Sequence, residues 1–245
     1  MPKHKREWIF GHHAVESALK ADKREFFELM IFDQHRNRYA WVRDELPHVK
    51  VSVVDRLTMD RLAPKDQPHQ GVALNAGLLP ALSPRDLPED ARLLLALDQV
   101  TDPHNIGACL RSADAFGVSA MLVPHHNSGH SSAIVAKAAA GALETTPIVE
   151  VGNLVQALEN LKEDGFWVVG LAGEADKELC EIDLTGKMIV VMGSEGEGLR
   201  DLVAQKCDFL ARIPMSGQVE SLNVSVACGI TLYEVSRQNR PAKKK

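Results

Sequence analysis

The sequence predicts an α/β protein built around a parallel sheet and preceded by a smaller α/β unit. From residue 92 onward, short apolar runs alternate with segments of helical periodicity. Strands that are apolar on both faces are typical of a parallel sheet covered by helices on both sides. A proline-rich stretch at residues 77–90 separates this pattern from a different one in the first third of the chain.

Residues 1–76 carry the pattern of a small α/β domain. One helical segment and three strand-like runs cover residues 14–19, 26–32, 49–54 and 72–75. The next segment, residues 77–90, has Pro80, Pro84 and Pro88 at intervals of four, which excludes a helix interior and a central strand. We therefore expect a linker there.

Residues 91–245 form the larger predicted domain. Its predicted strands cover residues 93–97, 120–123, 148–151, 166–171, 189–192 and 209–213. Its predicted helices cover residues 105–116, 133–143, 154–161, 199–206 and 222–235. Ligands of open parallel sheets bind at the carboxyl ends of the strands, so the loops at those ends are the candidate sites.

Composition excludes several classes of protein. The 245 residues are 45% hydrophobic and 25% charged, as in a folded globular chain and unlike a disordered tail. No apolar run approaches the roughly 18 residues of a membrane span, and the first ten residues lack a secretory signal, so we expect a cytoplasmic protein. The four cysteines lie far apart, which argues against a zinc ribbon or a disulfide framework. A net charge of −5 does not by itself indicate nucleic-acid binding.

The first candidate loop follows the predicted strand at residues 93–97. Asp102 and Pro103 suit a turn or a helix cap, and Asn105 lies near the start of the following helix. Arg111 lies two turns further on, within the apolar pattern of a packed helix. An arginine beside a buried face usually has an anionic partner, which makes Arg111 a candidate functional residue.

The second candidate loop reads Gly193-Ser194-Glu195-Gly196-Glu197-Gly198. Three glycines allow close approach of a ligand to the backbone, although a simple glycine turn is an equal alternative. The glycine spacing differs from the dinucleotide fingerprint, and no Walker lysine is present. Glu195 and Glu197 are two residues apart on one turn, and this spacing does not indicate the pair of carboxylates that flanks the sugar bond in a glycosidase.

The third candidate loop, residues 213–225, enters the last predicted helix. Ser221 is predicted to be the N-cap of that helix. Asn223 would then lie in the first helical turn, where asparagine is a poor helix former, so its amide is expected to have another task. No Gly-x-Ser-x-Gly elbow precedes any serine, which disfavours a serine hydrolase.

Histidines cluster at His125, His126 and His130, in a polar segment. No adjacent carboxylate or cysteine completes a set of four ligands. We therefore predict a solvated loop and no metal site.

Taken together, the three loops resemble the motifs of the SpoU (TrmH) branch of the SPOUT RNA 2'-O-methyltransferases. The matching segments are residues 102–108 with Arg111, residues 191–198, and residues 213–215 with 221–225. Residues 9–15 and 69–72 are similar to family members with a front RNA-binding domain resembling ribosomal protein L30. Within the family, the whole chain is most similar to the subgroup that methylates a guanosine ribose of 23S rRNA.

The resemblance implies a deep trefoil knot in the larger domain, a homodimer and S-adenosylmethionine as methyl donor. It implies that the backbone or side chains of five residues hold this cofactor: Gly173, Gly193, Ile213, Met215 and Leu222. It also implies catalytic roles for Arg111, Asn105, Glu195, Ser221 and Asn223. Because a guanidinium with a pKa above about 12 hardly ever loses its proton, we expect Arg111 to clamp the target phosphate and stabilise the developing alkoxide. No metal is required.

Two alternatives remain at this stage. A tRNA 2'-O-methyltransferase of the same branch would carry the same catalytic motifs, because these do not encode the RNA. A non-catalytic RNA-binding factor for ribosome assembly would keep the fold without the reaction. The additional front domain favours rRNA over tRNA, and the presence of all five candidate catalytic residues favours an enzyme.

Overall fold

A computed structural model describes residues 6–64, 68–80, 82–125 and 133–240. Its strands are β1 Arg6–Phe10, β2 Phe26–Ile31, β3 Lys50–Val53, β4 Val72–Gly77, β5 Leu93–Leu97, β6 Ala120–Pro124, β7 Ile148–Val151, β8 Trp167–Leu171, β9 Lys177–Glu178, β10 Met188–Met192 and β11 Phe209–Arg212. Its α-helices are α1 His12–Ala21, α2 Trp41–Glu45, α3 Arg56–Leu62, α4 Pro103–Ala115, α5 Ala133–Ala138, α6 Ala142–Thr145, α7 Leu154–Glu163, α8 Asp201–Ala204 and α9 Val224–Gln238. Within these ranges no helix is long and apolar enough to cross a membrane.

The front part of the chain forms a four-stranded sheet in the order β1-β4-β2-β3. β4 pairs antiparallel with both β1 and β2, while β2 and β3 are parallel. The periodicity predicted α1 and β2 to β4 but did not predict β1, α2 or α3. β1 begins with the charged residues Arg6 and Glu7, and α2 and α3 are only five and seven residues long, too short for a clear helical period.

The larger sheet has seven strands in the order β7-β6-β5-β10-β8-β11-β9, and every pairing is parallel. The central strands β5 and β10 are buried along their whole length. Separate apolar clusters cover the two faces, one containing Leu95 and Val190 and the other containing Leu94 and Ile189. The predicted α/β architecture with a parallel sheet covered on both faces is confirmed.

The helix predicted at residues 133–143 is divided into α5 and α6. Ala140 and Gly141 between them have positive φ angles of 51° and 100°. A Cβ at Gly141 would lie 2.1 Å from the Ser17 Oγ of α1, so this break lets the front domain approach the larger one. The helix predicted at 199–206 is also shorter, because Arg200 is extended and α8 begins only at Asp201.

A buried ion pair joins the two parts of the chain near this break. Arg24 donates from Nη2 to Glu144 Oε1 at 2.5 Å and from Nε to Glu144 Oε2 at 3.2 Å. Its Nη1 donates to Glu7 and to the Gly77 carbonyl oxygen. The side chains of Arg24 and Glu144 are 1% and 3% exposed. Burial raises the pKa of the Glu144 carboxyl, and the Arg24 guanidinium offsets part of that rise.

Replacing Arg24 with methionine is expected to lower the free energy of unfolding by about 3–5 kcal/mol, because Glu144 is then left buried without its cation. Urea denaturation measures the change. Arg36→Met is the control, since the Arg36–Asp33 pair is exposed and contributes at most about 1 kcal/mol. Equal effects of the two substitutions would contradict the role given to the buried pair.

Candidate functional site

The three candidate loops meet at the carboxyl edge of the larger sheet. They follow β5, β10 and β11, and the loop after β8 lies among them because β10, β8 and β11 are neighbours in the sheet. The Ala172 N–H just beyond β8 donates to the Ala211 carbonyl oxygen of β11 at 3.0 Å. Parallel pairing therefore brings together loops that are more than a hundred residues apart in sequence.

Asp98 ties the first loop to the second. Its N–H donates to the Met192 carbonyl oxygen at 2.7 Å, and its fully buried carboxylate accepts from the Arg200 backbone N–H at 2.9 Å. The Arg200 guanidinium completes the contact with Nε at 2.8 Å and Nη2 at 2.6 Å from Asp98 Oδ1. Asp98 and Arg200 are not among the site residues predicted from the sequence. The available signal was an acidic residue directly after five apolar strand residues, because a buried carboxylate requires a partner.

The segment between these anchors is a tight hairpin. Ser194 and Gly198 exchange both backbone hydrogen bonds, at 3.0 and 3.1 Å. A Cβ at Gly193 would lie 2.2 Å from the Gly198 carbonyl carbon, so only glycine fits there. The glycines therefore bring the hairpin close to the strand end and place Glu195 and Glu197 at its tip.

Glu195 is at the centre of a hydrogen-bond network that unites all three loops. Its Oε1 accepts from Asn105 Nδ2 at 3.2 Å, from Asn223 Nδ2 at 2.5 Å and from the Val224 N–H at 3.3 Å. Asn223 Nδ2 also donates to Asn105 Oδ1 at 2.9 Å. Three of the five predicted catalytic residues thus form one cluster of charge-assisted hydrogen bonds.

Asn223, and not Ser221, is the N-cap of α9. Asn223 Oδ1 accepts from the Ser225 N–H at 3.0 Å, and residues 221–223 lie outside the helix. The predicted cap at Ser221 is therefore wrong by two residues. The expectation that the Asn223 amide has another task is met, because its oxygen caps the helix while its nitrogen donates to Glu195.

Arg111 stands apart from the network. It lies on the open face of α4, six residues or about 9 Å of helix rise beyond Asn105, and it is exposed. No ion pair or hydrogen bond joins it to another of the described residues, so the expected anionic partner within the chain is not found. Ser221 is likewise exposed and outside the Glu195 network.

The predicted cofactor residues lie on the loops of three neighbouring strands. Gly173 follows β8, Gly193 follows β10, and Ile213 and Met215 follow β11, with Leu222 further along the last loop. Ile213 and Leu222 are half-buried and Met215 is exposed. Strand ends that offer backbone N–H and C=O groups beside apolar side chains fit an adenosyl group, which has a flat apolar ring and polar edges.

No group of three or more potential metal ligands occurs within the ranges that the structure describes. His125 Nδ1 instead contacts Glu150 Oε2 at 2.6 Å. His126 and His130 lie outside the described residues.

Fold and site together place the chain in the SPOUT class of α/β methyltransferases, in which the larger sheet carries its site on the loops at the carboxyl edge. A family model described as the SpoU rRNA methylase family matches residues 92–233, more than half of the chain. The chain belongs to this family. A second model, described as RNA 2'-O ribose methyltransferase substrate binding, matches residues 8–79.

Two individual proteins are similar over nearly the whole length of the chain, and a third over its greater part. The 23S rRNA (guanosine-2'-O-)-methyltransferase RlmB of Pseudomonas aeruginosa is 45% identical, covering 96% of this chain and 98% of its own. The AdoMet-bound rRNA methyltransferase of Sinorhizobium meliloti is 25% identical with a TM-score of 0.79, covering 95% of this chain and 87% of its own. The TrmH/SpoU tRNA modifying enzyme of A. aeolicus is 35% identical with a TM-score of 0.55, covering 61% of this chain and 76% of its own.

The two functions of Asn223 can be separated by substitution. Both Asn223→Ala and Asn223→Ser remove the donor to Glu195, but serine keeps a capping oxygen, so alanine is expected to lower the free energy of unfolding by about 1 kcal/mol more than serine. Thermal or urea unfolding of both variants measures this. The assignment of the cap would be wrong if alanine and serine destabilised the protein equally.

Proposed function

We propose that this chain transfers a methyl group from S-adenosylmethionine to the 2'-hydroxyl of a guanosine in 23S rRNA. The supporting observation is the Asn105–Glu195–Asn223 network, which joins three loops at the edge of the sheet where the family motifs lie. The near-full-length similarity to RlmB, whose name states this reaction, supports the choice of RNA.

S-adenosylmethionine, the cofactor named for the S. meliloti relative, supplies an electrophilic methyl group when bound. Gly173, Gly193, Ile213, Met215 and Leu222 would hold its adenosyl part. Gly193 lets the hairpin close against the end of β10, and the other loops add backbone groups and apolar contacts. Holding both reactants in place supplies much of the rate enhancement in such a transfer, up to roughly 7–11 kcal/mol in favourable cases.

Arg111 has a separate role in this proposal. Being exposed and without a carboxylate partner among the described residues, it is free to bind the phosphate next to the target ribose. Its planar guanidinium suits a phosphate and stabilises the negative charge that develops on the 2'-oxygen. Asn105, Glu195, Ser221 and Asn223 would orient the substrate and the loops, and the chemistry uses no metal.

The front domain would bind the RNA. We assign residues 1–76 to RNA binding, 77–90 to a linker and 91–245 to catalysis, and the family models that match residues 8–79 and 92–233 support a division of this kind. The chain places β10 between β5 and β8 and then crosses to β11 on the far side of β8. We propose that this crossing is part of a trefoil knot, and that the protein acts in the cytoplasm, where its rRNA is made.

The tRNA reaction is the second candidate and has weaker support. The A. aeolicus tRNA modifying enzyme matches only 61% of this chain, whereas the P. aeruginosa RlmB matches 96% of it. A non-catalytic assembly factor is disfavoured because the network around Glu195 is intact.

A homodimer would complete the site. Val226, Ile230 and Tyr233 form an apolar stripe on α9 at intervals of four and three residues, and they are 50%, 39% and 46% exposed. Tyr233 contacts Phe116 at the end of α4, so the stripe continues onto the helix that carries Arg111. A second copy covering this stripe would bring one subunit's α4 beside the other's loops.

Wild-type protein is expected to methylate transcribed 23S rRNA at one guanosine ribose, as measured with radiolabelled S-adenosylmethionine and mass spectrometry. Arg111→Ala is expected to lower turnover at least about 100-fold, because a donor to the transition-state charge is lost. The calorimetric affinity for S-adenosylmethionine should not change. Arg92→Ala, at the opposite edge of the sheet, is the matched control.

Arg111→Lys separates charge from shape. If the reaction requires the planar guanidinium of Arg111, the turnover of Arg111→Lys is expected to remain close to that of Arg111→Ala. Near-normal turnover in this variant would exclude a requirement for the planar guanidinium and leave only a requirement for positive charge.

Ile230→Glu is expected to convert the dimer into a monomer, because it places a charge in the centre of the apolar stripe. Analytical ultracentrifugation of wild type and variant measures the mass. Leu57→Glu, at an exposed apolar residue of α3, is the control and should leave the mass unchanged. A wild-type protein that sediments as a monomer at micromolar concentration would overturn the dimer.

A further inference from the structure

A second concavity lies beside the Glu195 network and is not used by the mechanism above. It has a volume of about 650 Å³ and opens at the carboxyl edge, beyond β5, β6 and β7. Its walls include Pro124, Val155 and Leu199, and its polar lining includes Gln99 and Glu197. This volume lies within the range of pockets that bind small organic groups.

The hairpin at 194–198 is a wall shared by the cavity and the network. Its tip directs two carboxylates to different places: Glu195 accepts hydrogen bonds from Asn105 and Asn223, whereas Glu197 lines the cavity. Among the residues that the structure describes, none pairs with the Glu197 carboxylate by a hydrogen bond or an ion pair. A group bound in the cavity would therefore lie beside the hairpin that carries Glu195 and meet an available acceptor.

Gln99 lines the cavity in an unusual conformation. Its φ of 59° is in the left-handed region, which is costly for a residue with a Cβ. The preceding residue holds it there, because Asp98 is fixed by Met192 and Arg200. The Gln99 amide and the Glu197 carboxylate thus share a cavity whose walls also carry apolar side chains and the polar residues Asn153, Arg200 and Asp201.

We infer that this cavity receives the base of the target nucleotide and that Glu197 selects guanine. A carboxylate offers two acceptors, which match the N1–H and the exocyclic 2-amino group on the Watson–Crick edge of guanine. On the same edge, adenine N1 and cytosine N3 are acceptors, which a carboxylate cannot pair with. Uracil has an N3–H but no amino group to serve as a second donor. The Gln99 amide can donate to guanine O6, and the apolar walls suit the faces of the base. The inference rests on the proposed function, since it concerns the substrate of that same site.

The test compares RNAs that differ in one base. The methylated guanosine is first located in transcribed 23S rRNA, and a fragment containing it is then made with guanosine, inosine or adenosine at that position. Inosine keeps the N1–H and O6 but lacks the 2-amino group. Wild-type protein is expected to use guanosine at least about tenfold more efficiently than inosine, measured as kcat/KM.

Glu197→Gln is expected to compress the guanosine-to-inosine ratio towards one, because an amide offers only one acceptor. The substitution should also raise kcat/KM for the adenosine RNA relative to the guanosine RNA, since glutamine can pair with adenine through one donor and one acceptor. The calorimetric affinity for S-adenosylmethionine should equal that of wild type, which shows that the variant is folded. Glu163→Gln makes the same change of charge at the far end of α7, about 13.5 Å of helix rise from the cavity-lining Leu154, and should keep the wild-type ratio.

The outcomes separate the two proposals. An unchanged ratio in Glu197→Gln, or an equal change in Glu163→Gln, would overturn the assignment of Glu197 and leave the methyl transfer intact. Absence of methyl transfer by the wild-type protein to any of these RNAs would overturn the proposed function and the base pocket with it.

Discussion

The geometry of the site depends on the buried carboxylate of Asp98. The Asp98 N–H joins the end of β5 to the end of β10 by donating to the Met192 carbonyl oxygen, and the carboxylate holds Arg200 extended so that α8 starts only at Asp201. The loop between these anchors has little freedom left and closes as a hairpin. Removing the charge would leave the Arg200 backbone N–H and guanidinium without their acceptor on the far side of that hairpin, which is costly in a low-dielectric interior.

The buried ion pair between Arg24 and Glu144 fixes the two domains to each other. Arg24 reaches from the front domain to Glu144 on α6, and the break before α6 allows α1 to pack closely. The front sheet is therefore held in a defined position relative to the larger sheet. An RNA segment bound by the first domain would meet the loops of the second in a fixed geometry, which favours one nucleotide over its neighbours.

Periodicity predicts the larger sheet well because its strands are buried on both faces, so each is a plain apolar run. It is less successful where tertiary contact overrides local preference. The break at Ala140 and Gly141 depends on Ser17, more than a hundred residues away, and the Asn223 amide nitrogen donates to Glu195 on a different loop. Arg111 is the opposite case: the apolar pattern around it suggests a buried partner, but its own position on α4 faces away from the packed side.

The hairpin also explains why Glu195 and Glu197 are difficult to interpret from sequence. Two acids separated by one glycine look equivalent, yet a tight turn sends successive side chains in different directions. Glu195 is held by two asparagines and a helix N-terminus, so it serves the arrangement of the loops, whereas Glu197 has no such partner among the described residues. A short rigid turn can thus carry one structural carboxylate and one that is available to a ligand, and only the positions of distant residues show which is which.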